Sequence, residues 1–280
     1  MRARFVIYAL GLLLVFGLAR CSGTGRAKPL TIKGSDTMVL LGQRWAEKYM
    51  AEHEGVVLQV TGGGSGTGIA ALINGTTDIC QASRTMKESE FQQIQDRYGE
   101  RAREITVARD GLALYVNESN PVTELSVAQL RDIYTGVVTN WKQVGGADGP
   151  ITTYGRENSS GTYEYFKEHV LEKGDFAASV QTLPGTAAVV NAVSQDPLGI
   201  GYGGAAYAKG VRAVAVRAND DSPGVLPTAE NVVSGQYPIS RGLYFYLRKD
   251  PEGTAKAFVD YVLSDAGQAV VTEVGYFPIR

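Results

Sequence analysis

Apolar residues recur along the chain with two different periods, and the switches between them set out the elements. Leu30-Thr31-Ile32-Lys33 and residues 56–60 read as short strands, each running into a turn rich in Gly, Ser and Thr. Beyond the first turn, Leu41, Trp45 and Tyr49 share one face and predict a helix over 38–50; beyond the second, a helix covers 69–74. Residues 77–80 form a strand leading to a polar loop at Gln81-Ala82-Ser83-Arg84. Residues 105–108 and 112–116 read as two strands split by Arg109-Asp110-Gly111. Ser126 caps a helix that ends at Tyr134. The strand at 151–154 delivers Arg156-Glu157-Asn158-Ser159-Ser160-Gly161-Thr162, and Tyr163, Phe166 and Val170 then predict a helix with Ser159 or Ser160 as its N-cap. A glycine-rich stretch at 198–204 flanks a strand, 211–216 and part of 237–247 are strands, and helices at 253–263 and 266–274 close the chain. This alternation predicts an α/β fold with mostly parallel sheets.

The first residues follow a different pattern. Arg2 and Arg4 precede an apolar run over 5–19, then Arg20 and Cys21. A basic start, an apolar middle and a polar change describe an export signal, and the run is short for a membrane span. Leu18-Ala19-Arg20-Cys21 resembles a bacterial lipobox, with Arg20 where that pattern prefers a small residue. The reading is a signal peptide over 1–20, lipidation at Cys21 and a flexible tether over 21–28; cleavage nearby without lipid and a retained anchor are the alternatives. The remaining cysteine, Cys80, reads as a buried thiol, with a Cys21–Cys80 disulfide as the alternative in an oxidising compartment, and no CxxC or Cys/His cluster suggests a metal.

The 280 residues carry 44% hydrophobic and 20% charged residues at a net charge of -2, which fits a globular chain with a real core and gives no polycationic face for nucleic acid. The chemistry concentrates in three helix starts: Gly34-Ser35-Asp36-Thr37, Gly62-Gly63-Gly64-Ser65-Gly66-Thr67-Gly68, and Ser160-Gly161-Thr162 beside Arg156. The first helical turn presents unpaired N–H groups and a partial positive charge, so Ser, Gly and Thr there attract anions. Arg156 adds a fork of donors that matches an oxyanion. The glycine loop lacks the lysine of a phosphate-binding nucleotide loop, so nucleotide is not its expected guest.

These segments, with Asp78 to Arg84, Gln129-Leu130-Arg131-Asp132-Ile133-Tyr134-Thr135-Gly136, Thr139-Asn140-Trp141 and Gly199-Ile200-Gly201-Tyr202, resemble the PstS-type phosphate-binding proteins of bacterial phosphate ABC transporters. The resemblance runs from about Leu30 to Ile279. It implies a two-lobed periplasmic-binding-protein-like fold of type II, each lobe a mixed, mostly parallel sheet flanked by helices, with the ligand cleft between them. Lobe I would span 29–108 plus 245–280 and lobe II 109–244. It further implies a phosphate site built from Ser35, Asp36, Thr37, Ser65, Arg156, Ser160, Gly161 and Thr162, to which the polar loop adds Ser83 and Arg84 as candidate donors. Arg84 stands where the best-known members have an aspartate after an Ala-Ser pair. With that aspartate absent, Asp36 is the expected acceptor for the proton of hydrogen phosphate, and Arg84 a second cation on the ligand or on Asp36; the other reading makes Asp36 a helix cap and Arg84 the partner of a structural acid.

The expected function is extracytoplasmic capture of inorganic phosphate by a monomer, with no cofactor, no metal and no catalysis, and delivery to a membrane permease of an ABC transporter. Contact with the membrane would come through the N-terminal lipid or signal segment, in the periplasm or on the outer face of the cell membrane. Alternatives are another tetrahedral oxyanion, sensing or adhesion on the same scaffold, and a phosphatase. Against the last, His53 and His169 lie among charges on helix flanks, and Ser160 has no base evident in the sequence.

Overall fold

The computed structural model describes residues 28–279; the expected signal peptide, Cys21 and all of the tether but Lys28 lie outside the described residues. Ten strands form there: β1 (Leu30–Gly34), β2 (Leu58–Thr61), β3 (Ile79–Ala82), β4 (Arg103–Val116), β5 (Glu124–Ser126), β6 (Thr152–Arg156), β7 (Gln181–Leu183), β8 (Gly199–Gly204), β9 (Arg212–Arg217) and β10 (Ser240–Leu247). The helices are α1 (Val39–Glu52), α2 (Ser65–Asn74), α3 (Glu88–Tyr98), α4 (Val127–Tyr134), α5 (Gly161–His169), α6 (Thr186–Gln195), α7 (Ala229–Val233), α8 (Gly253–Leu263) and α9 (Asp265–Val274).

The strands run in the order β2-β1-β3-β10-β4-β8-β6-β7, with β9 on β4 and β5 on β9. Both wings are parallel: β1 pairs β2 and β3, β6 pairs β7 and β8, and β5 pairs β9. The spine is antiparallel, because every pair that involves β4 or β10 reverses direction. The expected mostly parallel sheet therefore describes the wings alone.

Beside smaller clusters around Leu72 and Tyr246 and around Tyr115 and Val193, the two largest cores lie along this spine. One packs Ile32, Trp45, Leu58, Phe245 and Phe258 between β1–β3 and helices α1, α8 and α9; the other packs Leu114, Tyr134, Trp141, Phe166 and Tyr202 around the second wing. Strand β4 contributes Val107 and Ala108 to the first core and Leu112, Leu114 and Val116 to the second. Burial of these side chains, at about 25 cal/mol per Å² of apolar surface, is what orders each half. The molecule is thus two-lobed, and β4 and β10 cross between the lobes.

This crossing corrects the expected break at Arg109-Asp110-Gly111. Strand β4 runs through it unbroken, because Gly111, Asp110 and Arg109 stay in register with Ser240, Arg241 and Gly242 of β10. A charged triplet reads as a loop; here Asp110 is fully buried and Arg241 opposite neutralises it at 2.8 Å. The helix expected over 69–74 starts earlier, at Ser65, so the glycine-loop serine belongs to the first turn of α2.

Candidate functional site

Three strand ends bring the Gly/Ser/Thr turns together at the boundary of the lobes. β1 ends in Gly34 and releases Ser35-Asp36-Thr37, a short 3-10 turn that leads into α1. β2 ends before Gly62-Gly63-Gly64 and α2. β6 ends in Arg156 and leads to Ser160, which caps α5 by accepting N–H bonds from Thr162 at 3.1 Å and Tyr163 at 3.3 Å. The first two belong to one lobe and the third to the other.

The hydroxyls converge. Ser35 Oγ donates to Ser83 Oγ at 2.9 Å, Ser65 Oγ lies 3.4 Å from Ser83 Oγ, and the Ser83 N–H donates to Ser65 Oγ at 3.0 Å. Thr37 Oγ1 and Thr162 Oγ1 meet across the boundary at 2.9 Å. Gly161 stands over the serines so closely that a Cβ there would lie 2.3 Å from Ser65 Oγ and 2.9 Å from Ser83 Oγ. All of these residues are buried. The Gly66 N–H donates to the Ser159 carbonyl at 2.9 Å, a backbone bond between the lobes. Gly64 makes that approach possible: its φ is +92°, and a Cβ would lie 2.4 Å from the Ser159 oxygen.

Arg156 is a buried cation of this junction, 1% exposed. Its Nη2 donates to Asp36 Oδ2 at 3.0 Å and to Glu157 Oε1 at 2.8 Å; Nε donates to Glu157 Oε2 at 3.0 Å and Nη1 to Thr186 Oγ1 at 2.8 Å. Asp36 Oδ1 accepts the Gly63 N–H at 2.9 Å, so its carboxylate ties both glycine-bearing turns to the opposite lobe. Burial alone would raise Glu157, but its hydrogen bonds and charge contact with Arg156 outweigh that and hold its carboxyl below the usual range. A groove of about 550 Å³ opens beside the clamp, lined among others by Asp36, Thr186, Val190 and Tyr207.

Nine of the ten expected site residues therefore gather in one junction; Arg84 lies apart. Its guanidinium makes a two-pronged contact with Glu90, at 2.8 Å on each side, and donates to the Thr85 carbonyl at 2.9 Å. Its Nε lies 3.2 Å from Glu164 Oε2 on α5, and Lys87 pairs with the same carboxylate. Arg84 makes none of these contacts with Asp36, so the expectation that it rests on that carboxylate is corrected: it is the partner of structural acids. The physical reason lies in α3, which the sequence reading passed over. This helix buries only Phe91 and Ile94, and its Glu90 reaches back as both cap and counter-ion.

The sequence reading also missed Arg241. Its Nε and Nη2 donate to Asp110 Oδ2 at 3.1 and 2.8 Å, and Nη2 donates to Thr162 Oγ1 at 3.0 Å. Burial pushes the Asp110 carboxyl up, and Arg241 opposes that rise. The available signal was a charge inside an apolar strand pattern, twice: Asp110 before Leu-Ala-Leu-Tyr-Val and Arg241 before Leu-Tyr-Phe-Tyr-Leu.

Two lobes joined by crossing strands, with helix N-termini and a guanidinium meeting between them, make a two-lobed binding fold whose cleft suits a small oxyanion. A family model for the PBP superfamily domain matches residues 21–266. The chain is 37% identical over 273 residues to the phosphate-binding protein PstS of Pseudomonas aeruginosa, covering 91% of this chain and 84% of that protein. It is 34% identical to the phosphate-binding protein PstS of Bacillus subtilis, covering 89% and 80%. Among solved structures, a Clostridium perfringens phosphate ABC transporter substrate-binding protein with bound phosphate superposes with a TM-score of 0.81 at 31% identity, over 90% of this chain and all of that one. An ABC-type phosphate transport receptor from Vibrio cholerae gives 0.72 at 31% identity, over 89% and 99%. The chain belongs to the PBP superfamily and, within it, to the PstS family of phosphate-binding proteins.

Proposed function

We propose that this protein captures inorganic phosphate outside the cytoplasm and hands it to the membrane permease of an ABC transporter. The observation that carries the reading is the convergence of Ser35, Thr37, Ser65 and Ser83 from one lobe with Arg156, Ser160, Gly161 and Thr162 from the other. A tetrahedral anion entering between them would take over the bonds that the hydroxyls now make to one another, with first-turn N–H groups and a guanidinium close by. The lobes would span 29–108 plus 245–280 and 109–244, bounds that the two cores support except at Leu243, which packs in the first, and Phe277, which packs in the second. The chain acts as a monomer without a cofactor, and its leader is removed and Cys21 lipidated, which places it in the periplasm or on the outer face of the cell membrane. Among the described residues, no helix is long and apolar enough to cross a membrane.

A binding role fits Ser160 better than a hydrolytic one, because its oxygen is engaged as a helix cap. His53 and His169 each stack on a tyrosine and bond to a carbonyl of their own helix.

In this reading Asp36 answers the proton of hydrogen phosphate. Sulfate brings no proton, so it would set its charge against that carboxylate. Titration calorimetry should show phosphate bound and sulfate refused, and Asp36→Asn should narrow the preference by about ten-fold or more. An unchanged preference removes Asp36 from this role, and absence of phosphate binding removes the function.

Arg84, Lys87 and Glu164 act as an ionic latch across the cleft, since α5 belongs to one lobe and the loop before α3 to the other. Glu164→Gln should weaken phosphate binding by about two- to five-fold at low salt, with the difference shrinking toward 1 M salt as exposed charges are screened. Burial opposes ionisation of Glu90, but its bonds to Arg84 and Lys87 hold its carboxyl below the usual range. The Arg84–Glu90 contribution is therefore present above the ordinary glutamate pKa, about 4.3, and is lost only as pH falls through the lower folded value.

A further inference from the structure

Arg241 and Asp110 face each other where β10 and β4 pass between the lobes, and both are buried. A buried arginine and carboxylate gain most from two parallel bonds onto two oxygens. This pair does not adopt that form. Nε and Nη2 both rest on Asp110 Oδ2, while Oδ1 accepts the Ala205 N–H at 3.2 Å. The guanidinium is offset, and its buried Nη1 has no hydrogen-bond partner among the described residues. A buried charged donor without a partner is costly and calls for a cause. The offset gives one return: Nη2 reaches Thr162 Oγ1 at 3.0 Å, the hydroxyl that meets Thr37 across the cleft.

We propose that Arg241 is a positioning residue for anion binding, which fixes the Thr162 hydroxyl as a donor toward the cleft. A threonine hydroxyl has one proton and two acceptor positions. The Arg241 N–H fills one acceptor position and turns the proton away from the guanidinium. An oxyanion oxygen then meets a hydroxyl already set to donate. The Asp110–Arg241 pair supplies the anchorage, and because it lies on the crossing strands, the Thr162 donor is held from the hinge.

The inference rests on reading the cleft as a phosphate site, and the test separates the two. Inorganic phosphate affinity is measured by calorimetry for the parent, Arg241→Gln, Thr162→Val, their double variant, and Asp110→Asn/Arg241→Gln. The last removes both buried charges together, so it decides the matter where the single arginine variant fails to fold. Arg241→Gln and the uncharged pair should each bind about ten-fold more weakly than the parent. Arg241→Gln added to Thr162→Val should cost less than about two-fold more, since the hydroxyl through which it acts is already gone. Parent-like binding by Asp110→Asn/Arg241→Gln, or losses that multiply in the Thr162→Val background, would show that Arg241 serves only the fold. A parent that takes up no phosphate overturns the function and this role together.

Discussion

Replacing Arg156 with Met should weaken phosphate binding at least about 100-fold and lower the melting temperature of the unliganded protein. Methionine keeps much of the apolar stem, so the change isolates the guanidinium. That group makes four donor contacts to Asp36, Glu157 and Thr186. Without it, two carboxylates remain at the junction with no shared counter-charge. Removing one member of a buried ion pair costs about 3–5 kcal/mol, and the lower end applies because Asp36 and Glu157 keep some solvent exposure. For a chain of this size about 3 kcal/mol corresponds to a melting temperature lower by roughly 6–12 °C. Affinity should fall at least about 100-fold, since charge-assisted bonds to the anion are lost together with the clamp that draws Asp36 toward the other lobe. Lysine at 156 should recover part of the stability and little of the affinity: a point charge can face one carboxylate but cannot serve three partners in fixed geometry. Calorimetry and thermal melts of both variants decide this. Methionine binding phosphate within ten-fold of the parent would mean that the anion is held elsewhere.

How far the sequence discloses this arrangement depends on where the determining interaction lies. The turns at Ser35, Ser65 and Ser160 are legible because a strand, a small polar turn and a helix start are local patterns, and each sets its own backbone N–H groups. The cap at Ser160 and the helix from Gly161 follow from residues within one turn of each other. The crossings near Arg109-Asp110-Gly111 and Ile239 to Tyr244 follow from the family resemblance, not from the local pattern, which gives no continuous strand there. Arg109-Asp110-Gly111 reads as a break from its own composition, and only β10, some 130 positions further on, supplies the pairing and counter-charge that keep it extended. The acid partners of Arg84 stay hidden for the same kind of reason. Its neighbours Ala82-Ser83 align it with a ligand position, but Glu90 and Glu164 claim its fork, and one of them lies in the other lobe. Charged side chains are assigned by what surrounds them in space, and that information is absent from a local window. Helix α6 shows a milder case: Val189, Val190 and Val193 are buried on one face, and these β-branched residues, with no side-chain cap at Gly185, offset the helical signal of its alanines.

Gly161→Ala should separate binding from folding more cleanly than any polar change in the cleft. The new Cβ would lie 2.3 Å from Ser65 Oγ and 2.9 Å from Ser65 Cβ. The hydroxyl can rotate away, but the Cβ of Ser65 is fixed by the first turn of α2 and cannot. One lobe must then withdraw from the other, which opens Thr37 from Thr162 and lifts the α5 N-terminus off the serines. Neither core is touched, and alanine in the first turn of α5 is at least as good a helix former as glycine. The unliganded variant should therefore melt close to the parent while its phosphate affinity drops about 100-fold or more. Ligand stabilisation makes the contrast visible in one experiment. At a phosphate concentration of 100 times the parent's Kd, the parent gains about 2.7 kcal/mol, whereas a variant 100-fold weaker gains about 0.4 kcal/mol. Thermal melts with and without phosphate should thus show a clear shift for the parent and almost none for Gly161→Ala. A variant that keeps the full shift would mean that phosphate is held without this approach of α5 to the serines, and the closed junction would no longer explain capture.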